Sequence, residues 1–131
     1  MAKSAFLKSF LVGAGWLLVI SAFGQIVLPE VVAGGSAWGL AAGWQREIGF
    51  FDSAMAVVAF SAFRSSDLKF QRSVALALIV LTALIGTNHL VALASAPFAW
   101  VHIVFTPLNY VVVAVGGVAL RRTHEATANS Q

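Results

Sequence analysis

The chain has 131 residues, of which 60% are hydrophobic and only 10% are charged. Soluble domains carry roughly 25% charged residues, so this composition excludes a protein that faces water on all sides and indicates an integral membrane protein. Without cysteine the chain forms neither disulfides nor thiolate metal sites. Its net charge of +3 is not gathered into the basic stripe that nucleic-acid binding requires, so no nucleic-acid partner is expected.

Four apolar stretches predict four membrane spans, at about residues 6–28, 47–63, 73–94 and 98–120. A span needs about 20 apolar residues, so four spans nearly fill the chain as one all-α domain, a four-helix bundle in the lipid bilayer. Between them, Val31–Trp44 is rich in glycine and tryptophan and predicts a loop or a short interfacial helix. The polar segment Arg64–Arg72 predicts a loop, Ser95–Pro97 a tight turn, and residues 121–131 a polar tail.

Basic residues are distributed unequally between the two sides that four spans create. Seven of the eight fall on the side of the termini: Lys3, Lys8, Arg64, Lys69, Arg72, Arg121 and Arg122. Only Arg46 lies on the other side. Because cytoplasmic segments carry the excess of lysine and arginine, both termini are predicted to be cytoplasmic. A cleaved signal peptide over residues 1–33 is the alternative, but the apolar stretch Ser9–Leu28 exceeds the roughly 7–15 residues usual in such a signal.

Each predicted span places a polar side chain at a similar depth in the outer half of the membrane. At a rise of 1.5 Å per residue, Asp52 and His89 lie about 9 Å and His102 about 7 Å from the outer ends of their spans. Polar groups that face lipid leave hydrogen bonds unmade, so these three are expected to share one outward-opening pocket as a coupled ionisable cluster. The candidate ligand-binding residues are Gln25, Glu47, Asp52, Asn88, His89, His102, Thr106 and Asn109.

These polar residues also have structural interpretations. Glu47 suits the first turn of a helix, where the helix dipole favours an acid, and Asn88 could bond across to another helix. Asn109 could satisfy the backbone carbonyl that Pro107 leaves free, and Asp52 could form a packing hydrogen bond. In a catalytic interpretation, the acid/base candidates are Asp52, His89, His102 and Glu47. Two histidines and a carboxylate also match an iron facial triad, but no local motif supports one, so neither a metal nor a cofactor is predicted.

Two short motifs carry a resemblance to a known family. The segment "WQREIGFFD" opens the second span and "GTNHL" lies late in the third. Together they resemble the small bacterial four-helix membrane proteins of the DoxX-like kind and a neighbouring uncharacterised group, in which an acidic residue opens the second helix and a Gly-x-x-His motif lies in the third. The matching positions here are Glu47, Gly86 and His89. The resemblance covers the central third of the chain and implies a four-helix bundle of the bacterial cytoplasmic membrane, links to redox or detoxification partners, and no settled activity.

Three functions are compatible with this pattern. In the favoured one, the pocket binds a quinone, a lipid headgroup or a terpenoid, or the chain is an accessory subunit that docks on a larger membrane complex or on a second copy. In the second, the chain is a lipid or terpenoid isomerase that uses a carboxylate–histidine acid–base pair. In the third, it is a proton-coupled transporter built around Asp52. The strong polar groups lie in the outer half, whereas a transport site is expected near the midplane.

Overall fold

The computed structural model describes the backbone of residues 2–128 and the side chains of residues 5–123. This part of the chain is all-α, with five helices: α1 (Ala2–Val27), α2 (Pro29–Gly34), α3 (Ala42–Arg64), α4 (Leu68–Ser95) and α5 (Trp100–Ala128). Helix α1 packs most extensively against α3, and α4 against α5, while α1 also contacts α4 and α5. The four long helices therefore pack against one another, and the short α2 lies where α1 ends.

Three of the described helices are long and apolar enough to cross a membrane: Ala5–Val27, Leu68–Ser95 and Trp100–Thr123. They coincide with the first, third and fourth predicted spans, so the chain is a multi-pass membrane protein. The second predicted span, residues 47–63, lies in α3, which is long enough but falls short in apolar character. Every 18-residue stretch of α3 includes three charged residues, drawn from Arg46, Glu47, Asp52 and Arg64.

Helix α3 also begins earlier than predicted, at Ala42 instead of Glu47. The preceding loop turns at Gly39, whose φ of 70° lies in the left-handed region that glycine adopts without strain. After this turn at Gly39 the chain enters α3 at Ala42, three residues later. Arg46 and Glu47 therefore lie in the second turn of α3, both exposed, and Glu47 does not occupy the first turn where a favourable dipole interaction was expected.

Two further boundaries differ from the prediction. The loop predicted at Arg64–Arg72 shrinks to three residues, because Asp67 caps α4: its Oδ1 accepts a hydrogen bond from the Lys69 N–H at 2.8 Å. The predicted polar tail instead extends α5 as far as Ala128, since residues 121–128 contain neither glycine nor proline to end the helix. The last three residues of that predicted tail lie outside the described part of the chain.

An aliphatic core fills one half of the bundle. It draws on the first two thirds of α1, the last turns of α3, the first three turns of α4 and the end of α5: Leu7, Phe10, Leu11, Ala14, Leu18, Ala56, Ala59, Ala62, Val74, Ala75, Leu78 and Ala119. At the same end the Arg122 guanidinium lies 4.8 Å above the centre of the Phe6 ring. The helix ends that carry seven of the eight basic residues therefore meet at the core end. The buried candidates Asp52 of α3 and His89 of α4 lie beyond the core, toward the other end.

Candidate functional site

Two histidines from neighbouring helices meet at the end of the bundle away from the aliphatic core. His89 lies near the end of α4 and His102 lies in the first turn of α5, joined by a connection of only four residues. Their Nδ1 atoms are 2.8 Å apart, within hydrogen-bond distance. Both side chains are buried, and His102 is 0% exposed. The structure thus brings together two of the three ionisable residues that were expected to converge.

The segment between α2 and α3 closes over this histidine pair. The Ala37 backbone N–H donates a hydrogen bond to His102 Nε2 at 3.0 Å, and Ser36 Oγ lies 3.4 Å from the same nitrogen. The Val101 N–H, which has no partner inside the first turn of α5, donates to the Gly35 carbonyl at 3.0 Å. Two bonds therefore attach this loop to the first turn of α5, one at the Val101 backbone and one at the His102 side chain.

Aromatic rings complete the surroundings of the pair. The Trp38 ring centre lies 4.5 Å from that of His102 and 5.1 Å from that of His89. On another side, His89 stacks on Phe105 with 5.8 Å between ring centres. We call the set His89, His102, Trp38 and Phe105 the aromatic site. It combines flat apolar surfaces with a few polar nitrogens, as small-molecule sites do.

Trp38 and its loop are the part of the site that sequence reasoning missed, since the tryptophans were assigned to the membrane interface. Gly35 shows why the loop can approach so closely: a Cβ at this position would collide with the indole ring of Trp100. The available signal was the pair Gly34–Gly35 followed by a polar residue, which allows a close backbone approach. The glycine pair does not predict which helix the loop contacts.

Asp52, the third expected member, has a different partner. Ser21 Oγ of α1 donates a hydrogen bond to Asp52 Oδ2 at 2.6 Å, and Asp52 is 4% exposed. Among the described residues no hydrogen bond or ion pair joins Asp52 to either histidine. Nor do the described side chains include a group of three or more His, Cys, Asp or Glu able to hold a metal ion. Asp52 thus links α1 to α3, and a single pocket that contains all three residues stays a prediction.

The other candidate residues are dispersed. Asn88 and Glu47 are exposed, on α4 and α3 respectively. Gln25 is half-buried, with its Oε1 lacking a hydrogen-bond partner among the described atoms. Thr106 is 7% exposed, and its Oγ1 likewise lacks a partner within the described chain. Thr106 follows His102 by one helical turn and so lies on the same face of α5.

Asn109 makes a hydrogen bond other than the expected one. Its Nδ2 donates to the carbonyl of Phe105 at 2.7 Å. The carbonyl that loses its partner to Pro107 is that of Ile103, four residues before the proline. Asn109 therefore does not repair the break, and its side chain marks instead the close contact with Gly86 of α4.

A separate apolar groove of about 350 Å³ runs along the outer face of α1 and α3. It is lined mainly by aliphatic and aromatic side chains, including Val19, Phe23, Ile26, Val57 and Phe60. Its lining contains no titratable group. In a bilayer this groove suits a lipid acyl chain and adds nothing to the chemistry of the aromatic site.

No family model, no curated protein and no solved structure matches this chain. The resemblance to DoxX-like proteins therefore stays a prediction that rests on Glu47, Gly86 and His89.

Proposed function

We propose that this chain is a four-helix protein of the bacterial cytoplasmic membrane that binds a small amphipathic ligand at the aromatic site. The ligand classes that fit are a quinone, a lipid headgroup or a terpenoid. The observation that carries the proposal is the buried pair itself, with the Nδ1 atoms of His89 and His102 2.8 Å apart inside two helices apolar enough to span a membrane. Ionisable side chains inside spans are costly to bury and are functional candidates by default.

The proposed orientation places this site on the outer side, with both termini in the cytoplasm. The basic helix ends gather at the aliphatic end of the bundle, where Arg122 lies over Phe6. The positive-inside rule assigns that end to the cytoplasm. His89 and His102 lie at the opposite end, beneath a loop that would face the outer surface.

The proposal includes α3 as the fourth span, although it is the most polar of the long helices. Arg46 and Glu47 are exposed in its second turn, near the level of the lipid headgroups. Asp52 is the charged residue deepest in this helix, and its carboxyl is buried against α1 and bonded to Ser21. The charged residues that make α3 less apolar therefore lie near its ends, except Asp52, which is buried against α1 and does not face lipid.

Two alternatives have less support from the contacts. An isomerase-type enzyme needs a carboxylate paired with a histidine, whereas Asp52 accepts its hydrogen bond from Ser21 and Glu47 is exposed. A proton-coupled transporter needs a relay that continues past the histidines. Here the outer nitrogen of His102 accepts the Ala37 N–H, and a backbone amide cannot pass a proton on.

The proposal is tested by identifying organic molecules that copurify with the protein from native membranes in mild detergent. Extracts of the wild type, Trp38→Ala and Val104→Ala are compared by mass spectrometry at equal protein. Val104 of α5 is 48% exposed and does not belong to the aromatic site, so its variant is the matched control. We expect one compound in near-stoichiometric amount in the wild type and the control, reduced at least about tenfold in Trp38→Ala, because the aromatic site has lost a wall. Equal amounts in all three proteins, or no enriched compound, would contradict the proposal.

A further inference from the structure

The hydrogen bonds around the pair determine where the protons lie when both histidines are neutral. A backbone N–H can only donate, so His102 Nε2, which receives the Ala37 N–H at 3.0 Å, must be the unprotonated nitrogen. A neutral imidazole carries one proton, and that of His102 therefore lies on Nδ1. The loop above the site thus sets the tautomer of His102.

The tautomer of His102 determines the tautomer of His89. The two Nδ1 atoms are 2.8 Å apart, and one hydrogen bond needs one donor and one acceptor. Because His102 Nδ1 donates, His89 Nδ1 accepts and the proton of His89 lies on Nε2. This Nε2–H has no hydrogen-bond partner among the described residues. The hydrogen bond from Ala37 to His102 and the one from His102 to His89 therefore leave one free donor, the His89 Nε2–H.

The free donor lies in surroundings that favour flat, neutral molecules. Trp38 and Phe105 place aromatic faces beside the His89 ring, and no carboxylate bonds to either histidine within the described chain. A metal ion or other electron-pair acceptor would need the lone pair of His89 Nε2, which this tautomer replaces with a proton. Such a ligand would have to break either the bond between the histidines or the bond to Ala37.

We infer that the ligand of the aromatic site is a neutral, flat molecule that offers a hydrogen-bond acceptor, such as a ring carbonyl oxygen, to His89 Nε2–H. This inference rests on the proposed function and names the ligand chemistry of the same site. The Thr106 hydroxyl is buried one turn along α5 from His102 without a partner among the described residues, so it is available as a second polar contact. A site built to donate a hydrogen bond discriminates against an analogue that lacks the acceptor.

The tautomers are tested directly, without any ligand. Protein labelled with ¹⁵N-histidine is examined in detergent by long-range ¹H–¹⁵N correlation spectra, which separate protonated from unprotonated ring nitrogens. The chain has three histidines, and the spectra of His89→Gln and His102→Gln assign the two signals of interest. We expect His102 to carry its proton on Nδ1 and His89 on Nε2. The reverse assignment for either ring would overturn the inference, whatever binds.

The ligand class is tested with two probes of the same shape, 2,3-dimethyl-1,4-naphthoquinone and 2,3-dimethylnaphthalene. Binding of each is measured by equilibrium dialysis to the wild type and to His89→Leu in the same detergent, so that uptake by micelles cancels. We expect the wild type to bind the quinone at least about tenfold more tightly than the hydrocarbon, and His89→Leu to lose this preference. Tight but equal binding of both probes would overturn the acceptor inference and leave the proposed function intact. Binding of neither probe above the micelle background would overturn the acceptor inference, while a compound still found in the native extracts would keep the proposed function.

Discussion

Among single residues, Asp52 makes the packing hydrogen bond that was one of its two sequence interpretations, while its cluster with the histidines stays a prediction. Depth alone placed it beside His89 and His102. In the structure Ser21 Oγ donates to Asp52 Oδ2 at 2.6 Å, which satisfies one oxygen of a carboxyl that burial would otherwise leave without a partner. Its role supported by contacts is therefore to hold α1 and α3 together, while the two histidines hold α4 and α5 together.

This division predicts which pairs of substitutions interact energetically. Asp52→Asn combined with Ser21→Ala, and His89→Gln combined with His102→Gln, should each deviate from additivity by about 0.5–2 kcal/mol in the free energy of unfolding, because each pair shares a hydrogen bond. Asp52→Asn combined with His89→Gln should be additive within about 0.5 kcal/mol. Reversible unfolding in mixed micelles measures all three cycles. A clear deviation for Asp52 with His89 would instead support the three-residue cluster that the sequence predicts.

At the scale of helices, the inward face of α4 agrees with the sequence pattern. Thr82, Gly86 and His89 recur at helical spacing, and the structure buries Gly86 and His89 and half-buries Thr82. A Cβ on Gly86 would lie 2.9 Å from the Asn109 Cβ, so α4 and α5 approach closely at this point. Small residues allow such approaches between membrane helices.

Gly86→Leu should therefore harm folding more than Leu84→Gly, although the two substitutions exchange the same residue types. At position 86 the new side chain would push α5 away, at a cost of about 1–3 kcal/mol or more, as in overpacked cores. Leu84 is 66% exposed, and its replacement costs about 1 kcal/mol through helix propensity. The fraction of each variant that elutes as a monodisperse peak in size-exclusion chromatography measures the difference. Equal losses, or a larger loss for Leu84→Gly, would show that the contact at Gly86 is not tight.

The elements also show what the sequence could and could not predict. Periodicity identifies the buried face of α4, and the shared depth of His89 and His102 follows from counting residues from the helix ends. Neither identifies which helix lies opposite a given face, so the partner of Asp52 was open. The loop over the site has no periodicity at all, and the contacts of Ser36 and Trp38 with His102 depend on where α5 begins.

For the whole molecule, the decisive question is whether α3 crosses the membrane. If it does, the loop before α3 and the loop after it lie on opposite sides. If α3 instead lies along the surface, both loops share one side and the termini lie on opposite sides. The second arrangement would place six of the eight basic residues on one side, with Lys3 and Lys8 on the other, whereas four spans place seven on one side. The charge distribution therefore favours four spans even though α3 is less apolar than the other long helices.

Single cysteines distinguish these arrangements cleanly, because the natural chain contains none. Leu40→Cys places a thiol in the exposed loop before α3, and Ser66→Cys places one in the exposed loop after it. In intact cells an impermeant maleimide should label position 40 and leave position 66 unlabelled until the membrane is permeabilised. Equal labelling of both positions would mean that α3 does not cross. The reverse pattern would keep four spans but turn the molecule over, and the aromatic site would then open toward the cytoplasm.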